Sequence, residues 1–295
     1  MAFKITFLLV THFTTWHFPL GHLVRTTTIH LSIQRKYFTL RYFQEIKIFV
    51  IYIMEYPPIS ILTPTYNRPE FIPLALCNIK GFDYDKKKLE WVILDDHPTN
   101  PFIPNSAVLD KVKKLLAPVK GNYVYDPKRH LTIGEKRNKL VKLAKYNYIA
   151  NMDDDDVFFP SYLKHSIEIM KTNNYGLVGC PEMLFVFPHH DFQISYINCP
   201  SKRQAHESSM VTTKKYVKSM GGFPKSSQGE GAKLVDFNEK RVGRTNIKKC
   251  MCCVAHSTNT CNKDRFLQDK IEGRISEMHK RILCDIFNLE YQPPN

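Results

Sequence analysis

An α/β fold, a single domain with a mostly parallel mixed sheet flanked by helices, follows from three observations. Apolar runs of strand length alternate with stretches of helical spacing between residues 54 and 160. The runs end in polar clusters instead of hairpin turns, as strands joined by crossover helices do. Hydrophobic residues make up 43% of the 295-residue chain, enough to cover both faces of a sheet.

The first strand is expected over residues 59–63, a short apolar run stopped by Pro64. Helical spacing follows over 70–79, and a second buried strand over 91–94 stops at Asp95-Asp96. Residues 107–116 are helical and 122–125 form a third strand. Leu140, Val141 and Ala144 then share one face of a helix over 133–145. A fourth strand, 148–152, runs into four consecutive aspartates, Asp153, Asp154, Asp155 and Asp156. Beyond it the pattern is mixed: a helix over 161–173, strands over 175–179 and 184–187, and a helix over 213–220 that ends at Gly221-Gly222. Ligands of such a sheet gather beyond the carboxyl ends of its strands. Three polar clusters meet there: Thr65-Tyr66-Asn67-Arg68, Asp95-Asp96 and the aspartate run.

A net charge of +14 favours polyanionic ligands, but the Lys and Arg residues are scattered, so a solvated basic surface is expected and nucleic acid is not. Eight cysteines lack the regular spacing of a disulfide framework, which points to reduced thiols and a cytoplasmic setting. Cys250, Cys252, Cys253 and Cys261 crowd around His256 without the paired spacing of a zinc site. Residues 1–53 carry a single acid, Glu45, no sustained period and no apolar run near the roughly 20 residues that span a bilayer. No transmembrane span is expected in them; Met54 is the expected start of the fold, and what precedes it an upstream extension.

Four neighbouring carboxylates raise one another's pKa unless a cation offsets their charge. Oxygen ligands select Mg²⁺ or Mn²⁺, which proteins hold by one or two carboxylates while substrate phosphates and water complete the shell. An ion so placed stabilises a departing diphosphate.

The segment IANMDDDDVFFPSYL, residues 149–163, resembles the metal-binding segment of family-two glycosyltransferases of the A-type, Rossmann-like fold, where an Asp-x-Asp element follows a strand. SILTPTYNRP at 60–69 is similar to the family's first strand and nucleotide loop, WVILDDHP at 91–98 to its second strand, and IGEKRN at 133–138 to its Gly-x-x-Arg-Asn helix start. The resemblance implies a hexosyltransferase acting with inversion, Mn²⁺ or Mg²⁺ as cofactor, a nucleotide-sugar donor, commonly a UDP-sugar, and a glycan, lipid or protein acceptor. Residues 54–160 would form the donor half, 161–270 the acceptor half, and 271–295 a C-terminal helix and tail.

Position by position, the resemblance makes Thr63, Pro64, Thr65, Tyr66 and Arg68 donor contacts, and Asp95 or Asp96 the acceptor of the nucleobase N–H. Gly134 and Arg137 fall against the diphosphate or ribose. Asp153 and Asp155 take the Asp-x-Asp positions, with Asp154 and Asp156 open as alternatives in that register. The base that activates the acceptor hydroxyl is implied after the Gly221-Gly222-Phe223-Pro224 turn, as Glu230 or Asp236. His256 resembles a late histidine that closes over the metal. Two other functions bear on the same residues. A sugar-phosphate nucleotidyltransferase would need a Gly-rich loop and Lys after the first strand, which residues 64–68 lack. A nucleotide- or carbohydrate-binding protein without catalysis would fit the single acid at Glu230, where the family has two.

Overall fold

A computed structural model describes residues 55–198, 205–235, 240–260, 262–267 and 270–293. The expectations for residues 1–53, for Asp236 and for Cys261 lie outside the described residues.

Strand β1 (Ile59–Thr65) leads through a short turn into helix α1 (Ile72–Gly81), and β2 (Leu89–Asp95) into α2 (Ser106–Leu116). Next come β3 (Lys120–Tyr125), α3 (Ile133–Leu143) and β4 (Tyr148–Asn151). The second half contains β5 (Val157–Phe158), α4 (Tyr162–Asn173), β6 (Leu177–Gly179), β7 (Met183–Phe187), β8 (Gln193–Ile197) and β9 (Val211–Thr213). It closes with α5 (Lys214–Ser219), α6 (Ala232–Val235), β10 (Val242–Arg244), β11 (Met251–Val254) and α7 (Glu277–Phe287).

Seven strands form the main sheet in the order β10-β6-β9-β4-β1-β2-β3. Only β9 runs against its neighbours there; the other pairs are parallel. A second sheet, β5-β11-β7-β8, packs beside it. The sequence expectation included β7, but the sheet as such went unseen, because β5 and β11 are two and four residues long and have no alternation to detect.

The near-continuous apolar runs of β1 and β2 are explained by helices on both faces. Ile59, Ile61, Trp91 and Ile93 pack with α1, α2, α4 and α7, whereas Leu62, Val92 and Leu94 pack with Leu140 of α3 and Tyr216 of α5. Helix α3 opens on a capping box between Thr132 and Glu135, and it ends two residues earlier than its apolar spacing predicts, because Ala144 turns extended and Lys145 N–H donates to buried Glu90.

In α7, His279 is buried, and burial pushes its pKa down to about 4. An unfolded histidine titrates near 6.5, so the stabilisation is complete above about 6.5 and lost as the pH falls towards 4. The His279 contribution to the unfolding free energy should therefore drop across that window, and it is read as the difference between wild type and His279→Gln in a pH series of urea melts.

Candidate functional site

Thr65 at the end of β1 lies opposite Asp95 at the end of β2, and Leu62 of β1 opposite Asn151 of β4. The three strands thus end on one edge. Beyond it opens a cavity of about 610 Å³, lined by Pro64, Thr65, Tyr66 and Arg68, by Lys136 and Arg137 of α3, by all four aspartates, and by Glu207 and Glu230.

The aspartates divide into two kinds. Asp154 is turned inward, taking the Thr65 hydroxyl and one Arg68 nitrogen at 3.0 Å. Asp156 accepts the Val254 N–H at 3.1 Å, with the Lys263 ammonium 3.8 Å away. Both are almost fully covered, whereas the Asp153 side chain keeps 25% of its surface and Asp155 8%. One Asp155 oxygen, Oδ2, meets Arg68 at 2.8 Å, His256 Nε2 at 3.1 Å and the Asn259 amide at 3.3 Å. Its Oδ1 carries no hydrogen bond among the described residues.

Burial pushes Asp154 and Asp156 up to about 7, and the neighbouring Asp155 charge adds to the rise. In Asp155 burial is outweighed by the Arg68 guanidinium and the His256 ring, which hold its carboxyl well below the usual carboxylate range. Carboxylates at this density are what a divalent cation offsets, and an all-oxygen donor set suits Mn²⁺ or Mg²⁺. Among the described residues no three His, Cys, Asp or Glu side chains are grouped so that together they could hold a metal ion. An ion here would take one or two carboxylates and fill its shell from ligand oxygens and water.

Arg137 bridges the two halves of the cavity, with Nη2 on Asp153 at 3.0 Å and Nε donating to Glu230 at 2.9 Å. Burial raises the Glu230 carboxyl above its ordinary pKa despite that pairing. The next residue, Asn138, accepts the Phe223 N–H at 2.9 Å and donates to the Phe223 carbonyl at 2.7 Å. Two sequence motifs, Arg-Asn and Gly-Gly-Phe-Pro, thereby meet. Gly222 has φ +79, and Gly221 before it +77, the left-handed backbone that glycine allows at this turn.

Other expected contacts lie elsewhere. Thr63 is buried and accepts the Trp91 indole N–H at 2.8 Å, so it does not reach the cavity. Asp95 is consumed by its own loop, accepting from His97 N, from Phe102 N and from the Tyr123 hydroxyl. Asp96 pairs with Lys136 and accepts the Leu131 N–H at 2.7 Å. Gly134 packs rather than lines: a Cβ there would sit 1.9 Å from the Pro224 carbonyl oxygen, and its N–H donates to Ser226. It seats the turn that leads to Glu230. His256 is covered by Phe71 and Phe287, at 5.0 and 5.8 Å between ring centres, and aims at Asp155 instead of at open space.

Several residues had no signal in the sequence. Glu207 precedes β9 and accepts the Gly231 N–H at 3.1 Å, which puts a second carboxylate beside Glu230. Ser208 donates to Asp153 and Lys263 to the Val254 carbonyl. Of the cysteines that the sequence crowds around His256, Cys252 and Cys253 lie on β11 and Cys250 just before it, buried thiols each held protonated by burial.

Residues 60–211, just over half of the chain, match the family described as Glycosyl transferase family 2. An uncharacterised glycosyltransferase of Methanocaldococcus jannaschii is 28% identical over 121 residues, 41% of this chain and 39% of that protein. Two solved structures share the fold. The mannosyltransferase PcManGT of Pyrobaculum calidifontis, in complex with GDP-Man and Mn²⁺, superposes with a TM-score of 0.52 at 17% identity, covering 72% of this chain and 59% of that one. TarS 1-349 of S. aureus in complex with UDP-GlcNAc gives 0.50 at 17% identity, covering 78% and 71%. The chain thus spans about two-fifths of the archaeal relative.

Proposed function

The chain belongs to glycosyl transferase family 2, and from that membership we propose that it is a glycosyltransferase, one that transfers the sugar of a UDP-sugar to an acceptor hydroxyl with inversion. The observation that carries this reading is the meeting of the Thr65–Arg68 loop, Arg137 and the aspartate run on one cavity.

In this reading Thr65, Tyr66 and Arg68 hold the nucleotide. Tyr66 stands at the mouth, 38% exposed, with His97 and His130 at 4.7 and 5.1 Å, an aromatic rim for a nucleobase. Asp155 and Asp153 hold the divalent ion, their residual exposure setting them apart from Asp154 and Asp156. When bound, the ion offsets charge on the departing diphosphate. His256 positions Asp155 from behind. Asp95 and Asp96 shape the loops of the nucleotide side, and Lys136 ties Asp96 to the Thr65 carbonyl at 2.8 Å.

Glu230 takes the acceptor proton. Its raised pKa makes it a stronger base than an exposed glutamate, and Arg137 keeps it ionised and oriented. The acceptor is a hydroxyl of a glycan, lipid or protein. Complexes of similar folds with UDP-GlcNAc, and with GDP-Man and Mn²⁺, support a nucleotide-sugar donor and a metal. No helix among the described residues is long and apolar enough to cross a membrane.

The test is release of UDP from a panel of UDP-sugars with Mn²⁺ or with a chelator. Turnover is expected only with the metal. Equal rates under both conditions would remove the metal from the reading, and tight UDP binding without turnover would favour a binding protein.

A further inference from the structure

One polar side chain outside the cavity is fully buried against the aspartate run. We infer that Asn78, on α1, is a positioning residue that fixes the backbone from which Asp155 projects. The inference rests on the reading of Asp155 as a ligand of the ion.

Asn78 is 1% exposed, yet its amide is fully used. Nδ2 donates to the Asp156 carbonyl at 2.8 Å, and Oδ1 accepts the Phe158 N–H at 2.9 Å. The side chain thus pairs with the backbone on both sides of Val157, as a neighbouring strand would. Its two ends are not interchangeable, since a flipped amide would set donor against donor and acceptor against acceptor. His279 of α7 enforces the orientation: its Nε2 also lies on Asn78 Oδ1, at 3.2 Å, and the Ser276 hydroxyl caps its Nδ1 at 2.7 Å. From the other side, β11 holds the Asp156 carboxylate through the Val254 N–H, while Thr65 and Arg68 hold Asp154. Asp155 therefore projects from a segment clamped before and after it. Partners that hydrogen-bond a metal ligand from outside typically cost about 10–100-fold in metal affinity when removed; Asn78 acts on the backbone one residue beyond Asp155, at the low end of that range.

The experiment is UDP binding by calorimetry, with and without Mn²⁺, on Asn78→Ala. Leu74→Ala, on the same helix and equally buried, is the control for general destabilisation. Asn78→Ala is expected to weaken Mn²⁺-dependent UDP binding about tenfold or more, with metal-free binding changed less than about twofold. Leu74→Ala should keep the metal dependence. Unchanged Mn²⁺ dependence in Asn78→Ala, or an equal loss in Leu74→Ala, overturns the inference. Should Asn78→Ala fail to fold, His279→Phe takes its place: it removes the orienting donor together with the Ser276 contact behind it, a loss of about threefold is expected, and unchanged affinity is the overturning result. Asp155→Asn run alongside separates the two levels. If it too retains Mn²⁺-dependent binding, the metal reading fails; if it loses that binding while the Asn78 variant keeps it, only the role of Asn78 fails.

Discussion

Asp155→Ala is expected to lower UDP release from the preferred UDP-sugar by about three orders of magnitude, because the several kcal/mol of charge stabilisation at the departing diphosphate depend on the ion it holds. The fold should survive. Arg68 loses one carboxylate but keeps Asp154 at 3.0 Å, and its second nitrogen still donates to the Thr258 carbonyl at 2.8 Å. Circular dichroism and the thermal midpoint should therefore stay near wild type while Mn²⁺ ceases to strengthen UDP binding. Wild-type turnover in this variant would refute the assignment. Asp154→Ala should behave differently: it removes the inward contacts of Thr65 and Arg68, so its main effect is on stability.

Glu230→Gln should spare donor binding and reduce transfer by about 10²–10⁴-fold, the usual contribution of a positioned base. The replacement is close in shape, and the glutamine Oε1 can still accept from Arg137 Nε, so the Arg137–Asp153 pair at 3.0 Å should persist. Hydrolysis and transfer assayed separately would distinguish a lost base from a disturbed donor site. Retained transfer would move the base to Glu207 or Asp236. Glu207 is the nearer test, since its carboxylate lines the same cavity and already touches the Glu230–Gly231 backbone.

The first half of the fold was largely legible in the sequence because each of its signals is local. Strands β1, β2 and β4 are apolar runs that stop at polar residues, and the shared face of Leu140, Val141 and Ala144 announces α3. The contacts that give each side chain its place were not, for reasons that differ from residue to residue. Asn78 sits inside an ordinary helix, and nothing in Leu-Cys-Asn-Ile marks an amide that binds backbone 78 residues later. Glu207 lies in a stretch of mixed polarity, and its place beside Glu230 follows from the pairing of β9 with β4. Asp95 and Asp96 look alike in sequence, yet one holds the loop after β2 and the other pairs with Lys136. The distinction among the four aspartates is likewise tertiary, set by which of them Thr65 and Val254 reach first.

The reversed direction of β9 has a consequence for how such a protein can diversify. Because it runs opposite to β4, its beginning, not its end, stands level with Asn151, whose N–H donates to the Met210 carbonyl at 2.9 Å. The chain ahead of Val211 accordingly enters the cavity from upstream, anchored by the ladders of β9 to β4 and β6 and by the Asn151 amide on the Glu207 carbonyl. Exchanges there can remodel the Glu207 wall of the cavity while the register of β1, β2 and β4 stays untouched.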